Sequence, residues 1–251
     1  MVPIGRFING FLKYLRLKIV RTDKRPGEWH HSTSPDIIHS SVHPWATYSP
    51  WLSDSSFQDI FKSLKDFTLV DIYRMWELWV LARQLENVPG DVLEVGVWKG
   101  GTGALIASRL KHTGRTIFLA DTFTGVVKAG ERDSVYINGE HSDVTFNEVK
   151  RLVLRMGLEN VSLLEGVFPE DTGHLVLGPL ALVHIDVDVY QSAKDVLEFV
   201  VPLLSPGAFV IFDDYGFSGC EGITTLVNEL ADSPRWTFFH NLNGHAIFIL
   251  K

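Results

Sequence analysis

The sequence predicts an α/β fold, a mostly parallel sheet with helices on both faces, and three observations carry that expectation. A short apolar run, Val92 to Val97, passes through a glycine-rich turn into a stretch of helical composition, Ala104 to Leu110. Four further runs rich in β-branched residues alternate downstream with helical segments, which is the pattern of strands buried on both faces of a parallel sheet. Acids stand at or just past the ends of these runs, at Asp121, Asp186, Asp188, Asp213 and Asp214. In an open α/β sheet that edge is where ligands bind.

Length and composition agree with one large domain. A chain of 251 residues, 45% hydrophobic and 21% charged, can bury a sizeable core. The net charge of −7 argues against nucleic acid as a partner, because duplex binding rests on a basic surface. One cysteine, Cys220, excludes an intramolecular disulfide and a cysteine zinc cluster, so a cytoplasmic setting is expected. No apolar run approaches the ~18 residues of a membrane span, and the N-terminus lacks the apolar core and cleavage site of a signal peptide.

Taken in order, residues 1–25 hold seven Lys and Arg against Asp23 alone, with Phe7, Ile8, Phe11, Leu12, Leu15 and Ile19 at helical spacing. A basic amphipathic helix is expected there. It either lies on an anionic membrane surface or packs its stripe on the main domain or a second subunit. Packing is the favoured reading, since such stripes are usually core, and a homo-oligomer is expected. Pro26 to Asp54 carries scattered Trp, Tyr and His among Ser and Pro without a sustained period, and reads as irregular chain forming a lid. Its histidines lack a helical ligand spacing, which disfavours a metal cluster.

Asp54 caps a short helix through Lys65, and Thr68 with Asp71 starts a long helix ending near Asn87, before Pro89-Gly90. The chain therefore divides into an N-terminal segment, residues 1–65, and the sheet domain, residues 66–251. Beyond the first strand, Thr116–Asp121, Val161–Glu165, Ala181–Asp186 and Ala208–Asp213 are strands, with helices near 143–156 and 191–204 and a turn at Ser205-Pro-Gly207. Trp236–His240 and His245–Leu250 close the chain as a hairpin around Asn241–Gly244, which reverses one strand at the edge of a seven-stranded sheet.

The glycine turn narrows the ligand. A dinucleotide fingerprint fails because Gly96 is followed only at Gly100 and Gly101, and a phosphate loop fails because Lys99 precedes the glycines. Glu94-x-Gly96-x-x-x-Gly100-Gly101 instead resembles the first motif of class I S-adenosylmethionine (SAM)-dependent methyltransferases, whose ligand carries no phosphate. A tight connection with no ligand is the alternative. Asp121, one strand later, is placed to accept hydrogen bonds from a ribose diol; capping its own turn, Thr122 to Gly125, is the competing role.

Asp186, Asp213 and Asp214 come from neighbouring strands, and three convergent carboxylates cannot all stay ionised without a cation. Oxygen-only donors favour Mg²⁺, then Mn²⁺ or Ca²⁺. The alternative is that these acids diverge, capping helices or pairing with Lys and Arg.

Four stretches together, Glu94–Gly101, Asp121–Gly125, His184–Ser192 and Leu204–Tyr215, resemble the macrocin O-methyltransferase family, which methylates sugar hydroxyls. The resemblance runs from about Tyr48 to Lys251 and implies the class I methyltransferase sheet. It also implies metal ligands Asp186, Asp213 and Asp214, a general base at Asp188, and SAM contacts from Glu94, Gly96 and Asp121. Gly100, Gly101, Thr122 and Gly166 are expected in the same cofactor site. The function implied is SAM- and Mg²⁺-dependent methylation of a sugar hydroxyl on a glycosylated natural product or a glycan. A catechol or phenolic methyltransferase, or a silent SAM-binding module, are the rivals. For Asp188 the spacing leaves two roles open: two residues beyond Asp186 it faces the same side of an extended chain, and with Gln191 it also reads as the capping box of the next helix.

Overall fold

The computed structural model describes residues 30–34, 37–40 and 47–251, and the chain divides into two compact units, Met1–Thr47 and Tyr48–Lys251. In the first unit β1 (His30–Ser34) and β2 (Ile37–Ser40) pair antiparallel. Irregular chain was the expectation here. Thr33, Ile37 and Ile38 are residue types that suit extended backbone. The basic helix expected over residues 1–25 lies outside the described residues.

The second unit begins at Tyr48 rather than at residue 66, because α1 (Ser55–Leu64) belongs to its core through the fully buried Phe57 and Leu64. Asp54 caps α1 by accepting from the Phe57 amide. Asp71 caps α2 (Ile72–Arg83) by accepting from the amides of Tyr73 and Arg74. Thr68 lies outside that cap and takes only the Val70 amide. A 3-10 turn, Gln84–Asn87, completes the segment expected to end near Asn87.

The sheet is laid down by β3 (Asp91–Val95), β4 (Ile117–Asp121), β5 (Val161–Glu165), β6 (Leu180–Ile185), β7 (Leu204–Phe212), β8 (Trp236–His240) and β9 (Ala246–Leu250). Helices α3 (Gly101–Arg109), α4 (Phe146–Arg155), α5 (Tyr190–Val200) and α6 (Glu221–Ala231) connect them. Strand order is β5-β4-β3-β6-β7-β9-β8, and β9 alone runs opposite to the other six strands. The reversed last strand therefore sits one place in from the edge, between β7 and β8. The expected turn at Ser205-Pro-Gly207 lies inside β7, where the pairing with β6 shifts register.

Alternation along each strand builds two cores. Val92, Leu182 and Phe209 face the side covered by α1 to α4, whereas their successors Leu93, Val183 and Val210 face the side covered by α5 and α6. That period of two buries both faces at once. From β3 the chain moves outward to β4 and β5, then returns to the other side of β3 as β6. The reversal opens a crevice at the carboxyl ends of β3 and β6, where such sheets bind ligands. Among the described residues no helix is long and apolar enough to cross a membrane.

Candidate functional site

The crevice begins at Gly96. Its φ is +90°, and a Cβ there would stand 1.6 Å from the Asp186 carbonyl oxygen, so only glycine lets β3 and β6 leave the sheet side by side. The turn that follows is clamped by Asp121, whose Oδ2 accepts from the Val97 and Trp98 amides at 2.7 and 2.8 Å. Its Oδ1 accepts from the Phe123 amide at 2.7 Å. Asp121 thus performs the turn-capping role and ties the glycine turn to β4 while also lining the cavity above it.

That cavity holds about 290 Å³. Gly96, Thr122 and Gly166 line one end, and Asp186, Asp188, Asp213 and Asp214 line the other. Three of the expected cofactor residues are not among the lining residues. Gly100, at φ +86°, packs against Val149, and Gly101 donates its amide to the Phe67 carbonyl at 2.9 Å, so both serve the close seating of α3. Glu94 is completely buried, with Oε1 2.8 Å from His184 Nδ1 on the adjoining strand.

At the acid end the carboxylates differ in their partners. Asp213 is buried and ion-paired to Arg74, which also bonds Asp71. Burial pushes its carboxyl up, but His245 and Arg74 beside it outweigh this and hold it below the usual range. Asp186 and Asp214 are held well above that range, by burial first and then by the charge of Asp213 and its neighbours. Asp188 is also raised by burial, against the hydrogen bond that Tyr136 donates to its Oδ1 at 2.7 Å. Arg74 approaches Asp214 only to 3.9 Å.

The triplet Asp186, Asp213 and Asp214 is not gathered as tightly as convergence on one ion would suggest. The group of close donors here is Asp188, Asp214 and Cys220, all within 4.8 Å of one another. Cys220 is buried, which pushes its thiol up and keeps it protonated. The oxygen donors nevertheless suit a hard divalent cation. Burial and then the charges of neighbouring acids drive Asp186 and Asp214 toward protonation, and burial drives Asp188 the same way, the condition a nearby cation would relieve.

Both sequence arguments about Asp188 change. β6 ends at Ile185 and Asp188 sits at φ +65°, so the extended-chain argument fails. The capping box is absent as well, because Val189 is the N-cap of α5, the Tyr190 amide donates to Asp133 Oδ1, and Gln191 donates to Asp195. Asp188 is left free of helix duty, beside Asp214 and under Tyr136.

Sequence reasoning passed over Arg74, Tyr136, His141 and Phe217, which also line the cavity. Tyr136 and His141 belong to the long connection between β4 and α4, pinned by Lys128 to Glu170 and Asp195 and by Asp133 to α5. Its only sequence signal was the Asn138-Gly139 turn dipeptide. For Arg74 the signal was a charge on the packed face of α2.

Residues 62–231 match the family described as macrocin-O-methyltransferase (TylF). The chain is 36% identical over 148 residues to the 8-demethyl-8-(2,3-dimethoxy-alpha-L-rhamnosyl)-tetracenomycin-C 4'-O-methyltransferase of Streptomyces olivaceus, covering 54% of this chain and 56% of that protein. It is 33% identical over 141 residues to the demethyldecarbamoylnovobiocin O-methyltransferase of Streptomyces niveus, covering 51% and 54%. The chain thus spans about half the length of the curated relatives it matches. Among solved structures the O-methyltransferase NovP aligns with a TM-score of 0.66 at 27% identity, over 74% of this chain and 82% of that one.

Proposed function

This chain belongs to the macrocin O-methyltransferase family, and from that premise we propose that it transfers a methyl group from SAM to a sugar hydroxyl of a glycosylated natural product or glycan. The observation that carries this reading is one cavity at the switch point of the sheet, with a clamped glycine turn at one end and unbalanced carboxylates at the other. The name of one relative, which specifies methylation of a rhamnosyl-bearing tetracenomycin, supports a sugar acceptor.

In this reading SAM would be held at the glycine end of the cavity by Gly96, Asp121, Thr122 and Gly166, and would supply the methyl group. A Mg²⁺ ion, or Mn²⁺ or Ca²⁺, would be held by Asp186, Asp214 and the cavity side of Asp213. When bound it would supply charge that acidifies the acceptor hydroxyl and orients it. Asp188 takes the proton from that hydroxyl, and its raised proton affinity makes it the stronger base. Tyr136 donates to one oxygen of Asp188, and the Asp214 carboxyl stands within hydrogen-bonding reach of the same group. Arg74 keeps Asp213 ionised and fixed.

Two measurements test the reading. Calorimetry of the purified chain should show SAM and its demethylated product binding, and a chain that binds neither would overturn it. Turnover should occur with glycoside acceptors in Mg²⁺ and stop in excess chelator. Turnover with catechols alone would move the acceptor class, and undiminished turnover in chelator would remove the cation.

A further inference from the structure

Four segments frame the acid end of the cavity, and each presents an exposed apolar side chain. Leu69 lines the cavity just before α2, the helix whose Arg74 holds Asp213. Phe217 lines it too; its amide donates to the Asp214 carbonyl at 3.1 Å, and its ring centre lies 4.7 Å from the Arg74 guanidinium carbon. Val135 precedes Tyr136, the donor to Asp188, and packs toward Gly219. Leu242 heads the β8–β9 hairpin, where Gly244 packs against the Phe217 ring and Asn241 and Asn243 tie the tip to Glu77 on α2. Leu69, Phe217, Val135 and Leu242 are 67%, 39%, 65% and 86% exposed.

A single exposed apolar residue is ordinary, but one on each segment around a polar site marks a binding surface. Three of the four are aliphatic. Aliphatic groups offer no hydrogen bond to a sugar hydroxyl and gain only when apolar surface covers them. Charge narrows the occupant further. The segments that wall the cavity carry Arg74, Lys99, Lys128 and Arg132, and each is paired to a carboxylate: Asp71 and Asp213, Asp143, Glu170 and Asp195, and Glu229 in turn. Residues 213–220 and 240–245 contain no Lys or Arg. A diphosphate carried beyond the sugar would meet carboxylates here and no unpaired Lys or Arg among the described residues.

On the strength of the function proposed above, we propose that the acceptor is a sugar already joined to an apolar aglycone, and that Leu69, Val135, Phe217 and Leu242 hold the aglycone while the sugar reaches the acids. With the reacting hydroxyl beside Asp188, whatever the sugar is attached to emerges where these four residues stand. Neither a nucleoside-diphosphate sugar nor a polar glycan matches that mouth. The substrate is therefore the product of a glycosyl transfer onto an apolar molecule, and methylation follows that transfer.

Calorimetry of the full chain with Mg²⁺ and the demethylated cofactor tests this. The probes are the octyl glycoside, methyl glycoside, nucleoside diphosphate and disaccharide of rhamnose, the same four of glucose, and a sugar-free octyl ether, all below micellar concentration. For at least one sugar the octyl glycoside should bind at least about tenfold more tightly than its three counterparts, and more tightly than the ether. Val135→Glu and Leu242→Glu, both at exposed positions, should keep the parental melting temperature and cofactor affinity, weaken the octyl glycoside by about tenfold and leave the methyl glycoside unchanged. The proposal is overturned if a nucleotide sugar or disaccharide binds as tightly as the octyl glycoside, if the octyl chain adds nothing or no glycoside binds, or if both variants behave as the parent. Failure to bind the cofactor counts against the function proposed above, and the ranking of the probes is then read without it.

Discussion

At the glycine end of the cavity Asp121 accepts from three backbone amides, whereas at the acid end Asp186, Asp188 and Asp214 face one another with Arg74 already committed to Asp213. The chain satisfies the first end by itself. At the second it leaves charge unbalanced: burial raises all three carboxyls, and the charges of neighbouring acids raise Asp186 and Asp214 further. The contrast teaches which parts are scaffold and which are poised for a ligand, because sites under electrostatic strain persist where function uses them.

The largest expected effect comes from breaking the rigid end. Gly96→Ala puts a methyl 1.6 Å from the Asp186 carbonyl at φ +90°, so stability should fall by more than about 4 kcal/mol or folding should fail. Urea unfolding measures this, and a near-parental midpoint would mean that the two strands separate more easily than their geometry indicates.

Next, Asp188→Asn should leave the melting temperature near parental, since asparagine tolerates φ +65°, and lower turnover by ~10² to 10⁴-fold. A variant that keeps most of its rate would take the base away from the acid end. Asp121→Ala should cost about 2–4 kcal/mol, because it strands amides that the turn relies on, and should weaken SAM binding in calorimetry. If binding weakens with stability unchanged, the residue serves the ligand more than the turn.

The smallest effect has the opposite sign. Asp214 binds its proton more tightly folded than unfolded, so its penalty is absent below the ordinary carboxylate range and grows as pH rises through the folded value. Chelated parental protein should therefore melt higher at pH 5 than at pH 8. Asp214→Asn should flatten that slope and add about 1 kcal/mol at neutral pH while abolishing turnover. Melts across pH in chelator check both, and a steeper slope in the variant would place the surplus charge elsewhere.

The sheet, its seven strands, the reversal of the last one and the position of every acid at a carboxyl edge were legible in the sequence, because two-sided burial writes itself as apolar runs and a strand's end follows from where a run stops. Gly96 was legible too, since a turn this tight excludes every side chain. What only the tertiary structure decided were the partners. Arg74 on Asp213, Tyr136 on Asp188, Asp133 in place of a local cap on α5, and Glu94 turned to His184 all join residues distant in the chain. Spacing tells where a carboxylate stands, but its charge, its freedom and so its chemistry are set by groups that long-range packing brings within a few ångströms.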